Sequence, residues 1–175
     1  MLKIIAIAIL VAVVAILIYA TTKPDTFRVE RTTAIKAAPE KVFALIDDFH
    51  RWPTWSPYEK KDPDMKRTHS GATSGKGAIY EWDGNKNVGK GRMEVTGSSP
   101  SSRIVIKLDF LAPFEAHNTA AFTLQAQGDS TQVTWAMYGP ANYVSKLMSV
   151  FFSMDKMVGD DFAIGLANLK AAAEK

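Results

Sequence analysis

The chain of 175 residues contains no cysteine. Disulfides, thiolate metal ligands and cysteine nucleophiles are therefore excluded. Histidine is nearly as scarce: His50, His69 and His117 are scattered, and no His-x-x-x-His pair gives the spacing of a zinc site. No Gly-x-Ser-x-Gly nucleophile elbow occurs. The chain also lacks an excess of one charge. Lys and Arg number 21 against 18 Asp and Glu, for a net charge of +3, and the two signs are interspersed. Without a basic stripe interleaved with aromatics, no nucleic-acid partner is expected. Repeats and low-complexity tracts are missing too.

The first feature that is present is apolar. Ile4 to Ala20 carries no charged, amide or proline residue before Thr21-Thr22-Lys23-Pro24. A helix of that length reaches about 25 Å at about 1.5 Å per residue, close to a hydrocarbon core of about 30 Å. Residues 1–23 therefore read as a retained single-pass membrane anchor and residues 24–175 as one domain of ordinary size. A cleaved signal peptide is the alternative. Its apolar core is shorter, roughly 7–15 residues, and a cut after Ala20 would put Ile18 where a small side chain is preferred. Lys3 and the amino terminus favour a cytoplasmic N-terminus, while Lys23, Arg28, Arg31 and Lys36 pull the other way. The expected placement is a bacterial inner membrane with the domain on the periplasmic side.

Beyond the stem, residues 27–35 alternate and contain β-branched side chains, predicting a strand. Ala38-Pro39-Glu40 then opens a helix through Ile46, since proline and an acid both suit a first turn. Asp47-Asp48 ends it, and the proline-rich 49–57 stretch fits a single turn or loop. Residues 65–138 hold six short strands with turns between them, which predicts an antiparallel meander. After Gly139-Pro140 the apolar spacing becomes helical. Two pieces are predicted, 142–157 and 160–173, broken at Gly159, with Asp160-Asp161 starting the second. A curved sheet must cover its apolar concave face, and the C-terminal helix is the one long amphipathic element left to do so.

This order resembles the START/Bet v 1-like superfamily, also called SRPBCC or helix-grip proteins, and most closely its polyketide cyclase/dehydrase branch. The residues that carry the resemblance are Ile35-Lys36-Ala37-Ala38-Pro39-Glu40-Lys41-Val42-Phe43, Phe49, Trp52 and Trp55-Ser56-Pro57. Gly71 to Gly77 before Tyr80-Glu81-Trp82, Gly89-Lys90-Gly91-Arg92-Met93, and Asp161-Phe162, Gly165-Leu166 and Asn168-Leu169-Lys170 complete them. The resemblance covers about residues 27–173. It implies an α+β fold of about seven antiparallel strands wrapped on a long C-terminal helix. It also implies a cavity between sheet and helix that takes lipids, hormones, polyketides or other apolar molecules. A lipid or quinone is expected here, because the anchor keeps the cavity beside the bilayer that dissolves such ligands.

The candidate ligand-binding side chains are Trp52, Trp55, Tyr80, Trp82, Met93, Phe110, Trp135, Met137, Phe151, Met154 and Phe162. Aromatics can wall an apolar pocket, and flexible thioethers adapt to different ligands; core packing is the plainer reading of each one taken singly. Residues 142–157, with Phe151-Phe152, are expected to form a lid or to rest on the membrane. A cyclase- or dehydratase-like enzyme is the alternative, with Glu115 and His117 as weak acid–base candidates. They sit two apart on a strand and so share a face, but Phe122 and Leu124 at opposite parity point that face outward. Gly84 to Gly91 nearly spells a phosphate loop, yet a strand follows where a helix is needed, so a hairpin turn explains its glycines. No cofactor or metal is expected, and the residues leave the oligomeric state open.

Overall fold

The structure is a computed structural model that describes all 175 residues. Helix α1 (Leu2–Thr21) leads into strand β1 (Thr26–Ile35), followed by α2 (Pro39–Ile46), a 3-10 turn (Phe49–Thr54) and α3 (Pro57–Lys61). The meander comprises β2 (Lys66–Gly71), β3 (Ala78–Asp83), β4 (Lys90–Ser99), β5 (Arg103–Ala112), β6 (Ala116–Gln127) and β7 (Ser130–Pro140). Helices α4 (Tyr143–Phe151) and α5 (Met154–Ala173) close the chain.

Short turns leave each strand no choice but to pair with its neighbour. β1 returns beside β7, giving one antiparallel sheet in the order β1-β7-β6-β5-β4-β3-β2. Two register shifts between β4 and β5, one leaving Leu111 of β5 unpaired and the other Thr96 of β4, increase the twist and bend the sheet. Alternation then sends Ile104, Ile106 and Leu108, Phe122 and Leu124, and Val133, Trp135 and Met137 to the concave face. Phe162, Leu166 and Leu169 of α5 and Val42 and Ile46 of α2 close over them in one buried cluster. The sheet gripping one long helix is the α+β arrangement that the resemblance implied. No α1 residue belongs to the core cluster, so α1 adds nothing to the interior of the domain.

Local signals explain the short elements. Pro39 and Glu40 sit in the first turn of α2, and Asp47 caps its end. Asp48 accepts from the His50 N–H (2.9 Å) to start the 3-10 turn. α3 begins at Pro57, the last residue of the stretch expected as a turn or loop, with Pro57 and Glu59 in its first turn; at five residues it is too short to show a periodic signal.

The C-terminal break is corrected. It falls at Phe152-Ser153, where Ser153 accepts from the Lys156 N–H, and α5 runs unbroken through a buried Gly159. Gly159 is there for close approach: a Cβ would collide with the guanidinium of Arg31 from β1, which pairs with Asp155 (Nη1–Oδ1 2.9 Å). Gly165 does the same for the Trp135 ring and Pro57. Asp160 and Asp161 consequently lie inside α5 and do not start it.

Candidate functional site: an apolar cavity beneath the start of α5

The closed side of the site is built from tryptophans tied to α2. The last turn of a helix leaves carbonyls without partners. The indole N–H groups of Trp52 and Trp55 donate to the Ile46 and Leu45 carbonyls, each at 2.9 Å. Their rings meet at 4.8 Å. Trp135 stacks on Phe162 at 4.0 Å and 10°, and on Phe122 at 5.0 Å. These rings fill the space below the middle of α5.

Toward the α5 N-terminus the filling stops. A cavity of about 540 Å³ lies between the sheet, α3 and the first turns of α5. Such a volume falls within the usual range for small-molecule sites, about 300–1,000 Å³. Of its 15 lining residues 12 are hydrophobic, so the polar exceptions Lys61, Asn87 and Asp161 are the ones that can orient a ligand.

Among the side chains singled out from the sequence, Trp52, Trp82, Met93, Phe110, Trp135, Met137 and Phe162 line this cavity. Tyr80 does not. It borders a separate space of about 60 Å³, where its hydroxyl donates to Glu59 Oε1 (2.7 Å), itself paired with Arg67 Nε (2.7 Å). Burial, and then the Glu59 hydrogen bond, push the Tyr80 phenol up. Trp55 is wholly buried in the packed side. Phe151 is exposed because the turn at Phe152-Ser153 takes α4 off the sheet and onto α1, and Met154, the first residue of α5 beside that turn, is exposed as well.

The sequence reading missed Tyr58, Lys61, Asn87, Leu108, Ala120, Val158 and Asp161 as lining residues. Leu108 and Ala120 carried a usable signal, since their parity is that of Ile106 and Phe122. Tyr58 and Lys61 carried none. They come to the rim only because α3 folds against α5, where Lys61 Nζ meets Asp161 Oδ2 at 2.6 Å and lies 5.3 Å from the Tyr58 ring. Burial first, and the Asp161 charge second, push the Tyr58 phenol up, so it stays neutral and able to donate. The indole N–H of Trp135 is buried without a partner.

Glu115 and His117 are on the opposite, outer face of the sheet. His117 Nδ1 lies 2.7 Å from Asp109 Oδ1, and its Nε2 lies 3.3 Å from Glu115 Oε1. The hydrogen bond to Asp109 holds the His117 imidazole above its usual range. Burial would raise the Asp109 carboxyl, but hydrogen bonds from His117 and Lys107 outweigh it and hold the group low. The sheet separates this cluster from the cavity. No three His, Asp or Glu side chains converge as metal ligands.

A curved sheet, one gripping helix and an apolar hollow between them define the helix-grip class. Residues 26–174 match the family described as polyketide cyclase / dehydrase and lipid transport, and the chain belongs to that family. No curated protein matches the sequence. Among solved structures, the chain is similar to a protein of unknown function, SA2116, from Staphylococcus aureus. The two are 12% identical, with 87% of this chain and 96% of that one covered and a TM-score of 0.65. It is also similar to the Aha1 dimer from Colwellia psychrerythraea, at 17% identity over 85% and 96% of the two chains with a TM-score of 0.58. The di-domain ARO/CYC StfQ from the steffimycin biosynthetic pathway is 11% identical over 85% of this chain and 51% of its own, with a TM-score of 0.60. At these identities the likeness shows the fold alone.

Proposed function

We propose that the protein is a membrane-tethered binder of a hydrophobic or amphipathic small molecule such as a lipid, a quinone or a polyketide-like compound. The observation that carries this reading is the carbon-lined cavity of about 540 Å³. Leu108, Met93 and Met137 take the apolar body. The Lys61–Asp161 pair, Asn87 and the neutral Tyr58 phenol meet a polar head at the rim, and an acceptor on the ligand would satisfy the free Trp135 N–H. The tether is α1. Its mean hydropathy of 3.0 over an 18-residue window, only 6% of it buried within the molecule, asks for apolar cover from outside the domain. With the N-terminus inside, the domain of residues 24–175 faces the periplasm. Tethering keeps the cavity beside the phase that dissolves its ligand, which raises its effective concentration there.

The test is to extract the full chain from membranes in nanodiscs and analyse bound molecules by solvent extraction and mass spectrometry. Ala120→Phe, which projects a ring into the cavity, serves as the empty control. An apolar species enriched on the unmodified chain and lost from Ala120→Phe is expected; identical extracts from both overturn the reading.

The family description and the neutral Tyr58 phenol beside Asp161 favour one second reading, a cyclase- or dehydratase-like enzyme acting inside the same cavity. Tyr58 and Asp161 would be its acid–base groups, because Glu115 and His117 stand outside. Recovery of the extracted ligand chemically unchanged after prolonged incubation with the protein would dispose of it.

A further inference from the structure

The open mouth of the cavity and the exit of α1 fall at the same end of the sheet. Register pairs Thr26 with Pro140, Phe110 with Ala116 and Lys90 with Ala112. The start of β1, the end of β7, the β5–β6 hairpin and the β3–β4 loop therefore sit together. Asn87 of that loop and Met157 near the start of α5 line the cavity and are themselves exposed, which puts its open side here.

The β3–β4 loop at this end is polar, with Asn85, Lys86 and Asn87 exposed, but the β5–β6 hairpin and the α4 side are apolar where they meet solvent. Phe114 on the β5–β6 hairpin is 71% exposed, and Phe151 and Met157 are each 61% exposed; Leu111, Val144, Met148 and Phe152 are exposed as well. The opposite end differs in kind: its turns are Ser99 to Ser102 and Gly128-Asp129. Large apolar side chains left exposed in number at one end of a domain mark an interaction face.

The occupant is indicated by how α4 is held. Tyr143 Oη donates to the Leu17 carbonyl of α1 at 3.1 Å, Lys146 pairs with Asp25, and the Ala141 N–H donates to the Asp25 carbonyl at 2.8 Å. α4 is thereby fixed beside the last turns of α1, the level at which a spanning helix leaves hydrocarbon. No side chain of α4 is buried in the domain, and an amphipathic helix so placed suits the boundary between headgroups and acyl chains.

We infer that this end of the domain docks on the lipid bilayer itself, with α4 and the Phe114 hairpin inserted at the interface and the cavity mouth opening onto lipid. Ligand then passes between bilayer and cavity without crossing bulk water. The inference rests on the membrane-tethered reading above and adds to it the face, the depth and the route of entry.

The absence of native cysteine makes the test clean. Met148→Cys, Phe114→Cys and, at the far end, Asp129→Cys are each labelled with a bimane fluorophore in the full chain and reconstituted in phosphatidylcholine–phosphatidylglycerol vesicles. Brominated lipids should quench the labels at positions 148 and 114 at least threefold more than the label at 129. Equal quenching at all three positions overturns the inference. So does energy transfer between protomers at position 148 without lipid quenching, which would assign the face to a second copy of the chain. Loading of a pyrenyl fatty acid from the same vesicles judges the cavity separately. With the unmodified chain it should be at least fivefold faster than with the doubly substituted Phe151→Asp, Phe152→Asp chain, and equal rates in the two also overturn the inference. Complete failure of the probe to load, with the quenching pattern intact, removes the binding reading and leaves the docking face standing.

Discussion

The two halves of the space under α5 are built by opposite means. Beneath Gly165 to Ala173, Ile35, Val42, Ile46, Ile104, Ile106, Phe122, Leu124 and Val133 are 0–4% exposed. The glycine lets α5 settle onto the Trp135 ring. Beneath Met157 to Phe162 the sheet offers Met93, Leu108, Phe110 and Met137, and the helix stands off to leave the cavity. Ion pairs, Arg31–Asp155 and Lys61–Asp161, hold the helix there instead of close-packed carbon. Packed interiors lose heavily when atoms are removed, whereas partly exposed pairs contribute about 0–1 kcal/mol. One half therefore supplies stability, and the other supplies space.

The largest test of this contrast is truncation. Phe122→Ala should cost about 3–5 kcal/mol, the loss for a buried aromatic that leaves a hole. Leu108→Ala, beside a hollow that already exists, should cost less than half as much. Chemical denaturation of both variants measures the difference, and equal losses would erase the distinction between the halves. Glycine replacement follows. Gly165→Ala meets an indole ring and a proline, so it should cost about 1–3 kcal/mol by overpacking. Gly159→Ala meets the end of a flexible arginine that can swing aside, so it should cost clearly less, mainly the displaced pair with Asp155. A thermal melt in which Gly159→Ala is the worse of the two breaks the account.

Filling should separate the halves by function. Met137→Trp is expected to weaken binding of a pyrenyl fatty acid at least tenfold while moving the melting temperature by only a few degrees. A variant that unfolds would mean the open half has no spare room.

The smallest effect lies outside both halves. The His117 imidazole is held above its usual 6.5 by Asp109, so its contribution is fully present below that value and fades as pH rises through the folded one. The Asp109 carboxyl is held low, so its contribution is present above its usual 3.8 and fades as pH falls through the folded value. His117→Gln should therefore destabilise slightly near pH 5 and match the unmodified protein near pH 9. A pH-independent difference would assign His117 a packing role.

Much of the fold was legible because strand alternation and short turns are local. Val133, Trp135 and Met137 could be put on one face by parity alone, and six strands joined by turns admit little besides a meander. The break in the C-terminal helix was misread at Gly159 because glycine has two uses, flexibility and close approach, and only the partner across the gap tells which applies. Here that partner is Arg31, more than a hundred positions away in the chain. Trp55 shows the same limit for the site. Its identity suits a cavity wall as well as a core, and the bond to the Leu45 carbonyl is what turns it into the core.

Periodicity, turn residues and the run from Ile4 to Ala20 determined by themselves the order of the six meander strands, the amphipathic C-terminal helix and the one segment apolar enough to cross a membrane, because each is a property of neighbours in the chain; the return of β1 beside β7 is not. The tertiary structure alone decided where packing stops, which rings wall the hollow, that Lys61 and Asp161 meet at its rim, and that α4 leaves the sheet for α1. Those outcomes depend on distances between residues far apart in sequence, and a volume left empty has no residue of its own to announce it.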